Sequence, residues 1–347
     1  MGIGTHEQGG ATMTDSTPAT PNGSEADRSH AAADVHVPVL RDRCVDLLAP
    51  ALEAPGAVVV DATLGMGGHA EALLERCPTV RLVGFDRDTD ALDLARRRLE
   101  RFGDRASFVH AVFDELEPAL DDLGISAING VLFDLGVSSL QLDQPERGFS
   151  YARDAPLDMR MDQSAGTTAA DILASYTEAE LRDLFYRYGD EKLAPRYASR
   201  IVAARERAPI RTTAALVDVL QAATPAALRA SGHPAKRVFQ ALRVEVNSEL
   251  AAIERAVPAA MRRLAVGGRI VVMSYQSLED RLVKRFFQRA STSTAPARLP
   301  VELPEHRPEF ALLVRGAERA GESEAAMNPR AIPVRLRGAE RVLRHES

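Results

Sequence analysis

Two stretches of this chain carry residue types that could do chemistry on a bound ligand. The first, residues 61–69, reads DATLGMGGH: an acid, a glycine-rich turn, then a histidine. Glycines there let the backbone approach a ligand closely, and the first N–H groups of a helix starting there are free to bind it. Asp86 ends the apolar run RLVGFD about 20 residues further on. A carboxylate at that place can accept hydrogen bonds from both hydroxyls of a ribose. The second stretch, residues 131–162, reads VLFDLGVSSLQLDQPERGFSYARDAPLDMRMD. It begins as a buried strand with Asp134 near its end, turns through glycine and serine, and continues with acids and arginines that follow no helical or strand period. Long irregular segments just after a strand are where α/β sheets build their sites.

The glycine loop alone does not choose a cofactor. The dinucleotide fingerprint G-x-G-x-x-G is not matched, because Gly65-Met66-Gly67-Gly68-His69-Ala70 ends in alanine, which some dinucleotide folds allow. The loop therefore fits NAD and S-adenosylmethionine almost equally. His69, just inside a helix start, reads as a cofactor contact before a catalytic group. Phe113 could stack on an adenine, core packing being the default for a lone phenylalanine, and Asp114 could cap a helix. His36, in HVPVL, suits packing or a substrate site equally. Asp134 stands where an acceptor could meet a target amine or the cofactor's amino group.

These residues need a scaffold, and the hydrophobic pattern supplies one. Strands are expected at 57–61, 81–86, 107–112 and 130–135, with helices at 71–76 and 91–102 between them. This β-α-β-α rhythm predicts a parallel, doubly wound α/β sheet. From 142 to 240 convincing strands are absent, and helices are expected at 169–176, 178–188, 193–207 and 213–223, with Thr177 capping the second. A helix at 247–264 and strands at 268–275 and 310–315 resume the pattern. The predicted organisation is a tail over 1–34, a discontinuous α/β domain over 35–141 and 241–347, and a helical insertion over 142–240.

Composition sets the class. With 45% hydrophobic and 27% charged residues, the 347-residue chain reads as a soluble globular protein. It has no apolar run of about 18 residues, so no membrane span is expected. The first 34 residues lack an apolar core and read as disordered, not as a secretory signal. Two cysteines, Cys44 and Cys77, imply neither a disulfide framework nor a metal site, and a reducing cytoplasm is the expected compartment. The net charge of −6 argues against a nucleic-acid partner until its distribution is read: the tail carries −4 of it. Basic groups cluster at Lys192, Arg196 and Arg200; at Arg205, Arg207 and Arg211; at Arg281, Lys284, Arg285 and Arg289; and at Arg330, Arg335, Arg337, Arg341 and Arg344. Each suits a solvated face as well as a phosphate backbone.

Several phrases in order resemble the family of ribosomal RNA small subunit methyltransferase H, also called MraW. They are HVPVL (36–40), DATLGMGGH (61–69), GFDRD (84–88), RGFSYARDAPLDMRMD (147–162), FQALRVEVNSEL (239–250) and SLEDRLVKRFF (277–287). The resemblance implies a class I, Rossmann-like S-adenosylmethionine-dependent methyltransferase with an inserted all-helical domain for RNA recognition. The implied reaction is methylation of N4 of a cytidine in the decoding region of bacterial 16S rRNA, with the small ribosomal subunit as the expected partner; a homodimer is left open. Carried over by position, cofactor contacts fall on Gly67, Gly68, His69, Asp86, Phe113, Asp134 and Gln141. Substrate candidates are Arg147, Asp158, Arg160, Asn247 and Ser277, and Asp134 is the catalytic candidate. Two departures stand out: Gln276 precedes SLEDR where the family often has histidine, and NPRAIPVRLR (328–337) replaces an NPRSRSAKLR-like phrase. A nicotinamide-dependent oxidoreductase and a noncatalytic RNA-binding module are the competing readings. The first would need a hydride-transfer constellation, which does not stand out. The second would not need the glycine loop and Asp86.

Overall fold

Short apolar runs become strands because both of their faces are covered, as in parallel sheets generally. In the computed structural model, which describes Met1 and residues 38–296 and 303–343, β1 (Val58–Asp61) is buried along its whole length. The tail expected over 1–34, His36 and Arg344 lie outside the described residues, as does part of the Pro-, Ser- and Thr-rich loop over 291–308. After β1 come β2 (Arg81–Asp86), β3 (Ala106–His110), β4 (Ile128–Asp134), β5 (Leu264–Ser274), β6 (Phe310–Leu312) and β7 (Arg335–Arg341). They form one seven-stranded sheet in the order β3-β2-β1-β4-β5-β7-β6. The first five strands run parallel, and β7 runs antiparallel to both β5 and β6. This is the Rossmann-like class I sheet that the resemblance implies. Its strand order reverses between β1 and β4, the place where open α/β sheets receive ligands at the carboxyl ends of their strands.

Helices cover both faces. On one side α1 (Arg41–Leu48), α2 (Gly68–Arg76) and α3 (Thr89–Leu99) bury Leu48, Leu73 and Leu92 against Val59, Leu82 and Met273. On the other, α4 (Leu116–Asp122), α11 (Glu249–Arg263) and α12 (Ser277–Ala290) bury Leu120, Val257 and Phe287 with Phe85, Phe133 and Val272. Between β4 and β5 lie α5 (Ser139–Asp143), α6 (Ala169–Ser175), α7 (Glu178–Gly189), α8 (Ala194–Arg205), α9 (Thr213–Ala223) and α10 (Ala235–Val246). This segment has an apolar cluster of its own, built on Leu157, Met159, Phe185, Tyr197, Leu220 and Leu242. The predicted cap is present: Thr177 Oγ1 accepts from Glu180 N, and Glu180 reaches back to Thr177 N.

Three expectations are corrected. Helix α10 runs through Gln240, so the helical stretch ends near Val246, where Ser248 takes a left-handed conformation (φ 51°) before α11. The strand expected over 310–315 stops at Leu312. Strand β7 was not expected, because arginines at 335, 337 and 341 hide its alternation. Leu336 and Ala339 are buried, and so is Arg341, whose Nη1 donates to the carbonyls of Arg262 and Leu264. Arg335 and Arg337 are tied to Asp280 at 2.9 and 2.7 Å. The central arginines of this basic cluster are therefore spent on the fold. One further helix, α13 (Glu322–Met327), precedes β7.

Candidate functional site

Three strand ends bring three acids to one edge of the sheet. Asp61 ends β1 beside Gly84 and Leu132, Asp86 ends β2, and Asp134 ends β4. The glycine turn hangs over this edge. Leu64 N donates to Phe85 O, Gly65 N donates to Asp86 Oδ2 at 2.7 Å, and Asp88 N donates to Asp86 Oδ1 at 2.9 Å. Burial pushes the Asp86 carboxyl up to about 6, although those N–H donors pull the other way. Asp61 is fully enclosed and pushed up to about 7 by burial, with the Asp134 and Asp86 carboxylates adding to the shift. Its Oδ2 has no hydrogen-bond partner, an expensive state for a buried acceptor. Asp61 was read on sequence only as the start of the loop; an acid closing a strand that faces a glycine turn was the signal available.

The glycines divide by what they face. Gly65 (φ +52°) has only the Thr63 carbonyl oxygen, at 4.0 Å, near the place where a side chain would stand, so a ligand can lie against it. Gly67 (φ +79°) would push a Cβ onto Leu99 and Ala95 at 3.3 and 3.4 Å, and Gly68 onto Pro38 at 2.3 Å. Their side-chain-free positions serve the packing of α2 against α3 and the entry segment. Packing is thus a reason for glycine at Gly67 beside any approach of its backbone to a cofactor. Phe113, just beyond β3, is half-buried with its ring edge-on to Phe133 at 5.8 Å.

Asp134 is held from several sides. Its N–H donates to Thr63 Oγ1 at 2.6 Å, and its Oδ1 accepts from the Tyr275 hydroxyl at 2.8 Å. Burial and the Asp134 carboxylate push the Tyr275 phenol well above its usual value, so it remains the donor. His69 is buried, with Nε2 3.0 Å from Val39 O and Nδ1 4.0 Å from Asp134 Oδ2. A carbonyl can only accept, so Nε2 carries a proton and donates it to Val39 O. Tyr275 was missed on sequence. It lies at the end of β5, and only the β4–β5 pairing puts it beside Asp134.

The irregular segment after β4 is anchored by a buried polar network. Asp88 Oδ2 accepts from Gln141 Nε2 at 3.1 Å and from Arg147 Nη2 at 2.9 Å. Gln141 also closes a capping box with Ser138 at the start of α5. Arg147, 2% exposed, donates to the carbonyls of Arg160 and Met161, and Asn247, 3% exposed, bonds Met161 N and Met159 O. Arg147 and Asn247 thus hold the segment in shape, with these hydrogen bonds made inside the fold. Asp158 and Arg160 form a bidentate pair at 2.9 and 2.8 Å, half-buried. Burial raises the Asp158 pKa, but the Arg160 hydrogen bonds outweigh it and the net shift is down. Ser277 is exposed at the first turn of α12.

Among the basic clusters, Lys192, Arg196 and Arg200 are exposed, the latter two on α8. Arg207 and Arg211 are exposed as well, whereas Arg205 is turned inward onto the carbonyls of Leu173 and Tyr176. On α12, Arg281, Lys284, Arg285 and Arg289 are exposed, with Arg285 near Glu254 at 3.4 Å. Among the described residues no group of His, Cys, Asp and Glu is placed to hold a metal ion, and no helix is long and apolar enough to cross a membrane.

Residues 33–342 match the model of the MraW methylase family. Curated relatives bearing the name ribosomal RNA small subunit methyltransferase H are similar over nearly their whole length. That of Clavibacter michiganensis subsp. michiganensis is 66% identical over 314 residues, covering 90% of this chain and 99% of the relative. That of Clavibacter sepedonicus gives the same identity and coverage. The Leifsonia xyli subsp. xyli protein is 66% identical over 308 residues, covering 89% of this chain and 95% of its own.

Proposed function

The chain belongs to the MraW methylase family, and from that premise we propose that it methylates N4 of a cytidine in the decoding region of 16S rRNA. The coarser statement stands without the proposal: this is an S-adenosylmethionine-dependent methyltransferase of the class that acts on small-subunit rRNA. The competing readings, a nicotinamide-dependent oxidoreductase and a noncatalytic RNA-binding module, do not survive the family match. The observation that carries the finer reading is Asp134, an acid fixed by the Tyr275 hydroxyl at the switch point of the sheet.

The residues present fit the cofactor. Asp86 offers carboxylate lone pairs for ribose hydroxyls, Gly65 leaves open space beside it, and the orphan Asp61 Oδ2 awaits a donor. When bound, S-adenosylmethionine supplies an electrophilic methyl group on a sulfonium. The protein's own task is to make a poor nucleophile attack. The N4 lone pair of cytosine is delocalised into the ring, and a hydrogen bond from N4–H to the Asp134 carboxylate concentrates density on nitrogen. As the N4–carbon bond formed and the sulfur–methyl bond broke, releasing S-adenosylhomocysteine, N4 would become cationic and shed one proton, which Asp134 would accept. No strong base is required before attack. Thr63 and Tyr275 keep the carboxylate aimed, so little reorganisation is needed as charge develops.

We assign the helical stretch from 142 to 240, continued by α10, to RNA recognition. Its exposed Lys192, Arg196 and Arg200 suit phosphate contacts, and folded RNA is recognised largely by shape and backbone. Mass mapping of methylated cytidines in rRNA from cells with and without this protein tests the reaction. Loss of an N4-methyl mark at one cytidine is the expected result, and an unchanged map refutes it. Calorimetry with S-adenosylhomocysteine against NAD tests the cofactor separately.

A further inference from the structure

We propose that a cleft between the helical segment and the carboxyl edge of the sheet holds a single RNA nucleobase turned out of its stack, with Gln276 contacting its edge. This rests on the rRNA methylation reading above and adds the place where the reacting base is received. The cleft encloses about 260 Å³. Its walls include Val137, just past Asp134 in the chain, and Gln276, which directly follows the tyrosine bonded to Asp134. Chain neighbours of both Asp134 and its Tyr275 partner thus line it.

The lining suits a flat, heteroatom-edged ring. Phe149 and Phe239 are buried, and Tyr151 meets Phe239 edge-to-face at 5.7 Å. One face of the Tyr151 ring already stacks on His233 at 4.4 Å and 15°, so a base would stack on its other face or in place of the exposed His233. Lys236 is exposed and suits a phosphate attached to the base. Arg243 is held in a fork by Glu249 at 2.7 and 2.9 Å, which makes it a fixed wall of the cleft and not a mobile charge. The Gln276 carboxamide carries a donor and an acceptor in one plane, the pattern by which amide side chains read a base edge. The volume lies just under the usual range for small-molecule sites, which suits one base and not a pair. A recessed carboxylate at a strand end is out of reach of a stacked base, and enzymes acting on bases meet this by extruding the target.

The test uses the full chain and the small ribosomal subunits or rRNA that the wild type modifies, taken from cells lacking the protein. Tyr151→Ala should lower kcat/KM for RNA roughly ten- to a hundred-fold through lost stacking, and Gln276→Leu about tenfold through the lost edge contact. Both should bind S-adenosylhomocysteine with wild-type affinity. A photoreactive benzophenone side chain at position 151 should cross-link to the nucleotide that the wild type methylates or its immediate neighbour. That mapping also decides the matter if Tyr151→Ala fails to fold. Wild-type kcat/KM in folded variants, or a cross-link absent or remote from the methylated nucleotide, overturns the cleft assignment. A wild-type protein that methylates no cytidine N4 overturns the underlying reading instead, so the two failures are distinguishable.

Discussion

Replacing Asp86 by asparagine should separate the cost of burying a carboxylate from its use. In the free protein its two oxygens accept from Gly65 N and Asp88 N at 2.7 and 2.9 Å. An amide has one acceptor, so one of these donors must face an NH₂ group, a loss of about 1–3 kcal/mol. Opposing this, burial lifts the Asp86 pKa from 3.8 to about 6. At pH 7 that shift corresponds to a penalty on the order of 3 kcal/mol for the ionised form, which a neutral amide escapes. The two effects nearly cancel, and the stability of the free protein should change by less than about 1.5 kcal/mol. Cofactor affinity has no such compensation. Loss of a charged acceptor from ribose costs about 1.5–3 kcal/mol, or roughly ten- to a hundred-fold in the dissociation constant of S-adenosylhomocysteine. Urea unfolding and calorimetry at pH 7 read the two quantities. Unchanged affinity in a folded variant would show that Asp86 is not the ribose acceptor, and a collapse in stability would show that neutralisation offsets nothing.

The same shift sets a pH dependence: because the folded pKa of Asp86 is raised, its contribution to the free protein's stability is full below about 4 and is lost as pH rises through about 6. Affinity for S-adenosylhomocysteine should run oppositely and weaken as pH falls below about 6; a flat calorimetric profile from pH 5 to 8 contradicts this. Tyr275→Phe removes the 2.8 Å bond to Asp134 and should slow single-turnover methylation about tenfold with cofactor affinity unchanged, whereas a wild-type rate would leave Tyr275 a packing residue. Arg147→Ala leaves the buried Asp88 without its counter-charge and two loop carbonyls without this donor, and should destabilise the protein by about 3–5 kcal/mol in thermal unfolding; wild-type stability with weakened RNA binding would return Arg147 to the substrate. Exchanging Lys192, Arg196 and Arg200 together for Glu should weaken RNA binding and flatten its salt dependence while S-adenosylhomocysteine binds as before, and an unaltered salt slope would make that face ordinary surface.

Strand and helix positions were legible because their causes are local. Apolar runs such as VVVD and RLVGFD can only be strands covered on both faces, and the Thr177–Glu180 capping box is written within four consecutive residues. The glycine turn and the acids at strand ends were legible for the same reason. Strand β7 was not, since its arginines look like a basic tail until Asp280 and the carbonyls of Arg262 and Leu264 are seen to take them.

By itself, then, the chain's order of residues determined an α/β sheet, a glycine turn, acids at strand ends and the family to which the chain belongs. Tertiary structure alone decided which groups work together. It set Tyr275 against Asp134 across 141 positions, turned Arg147 and Asn247 into buried braces, and left Asp61 Oδ2 enclosed without a donor. The physical reason is that a side chain's role depends on its burial and its partners. For these residues the partners come from distant strands and loops, and no local period or spacing encodes them.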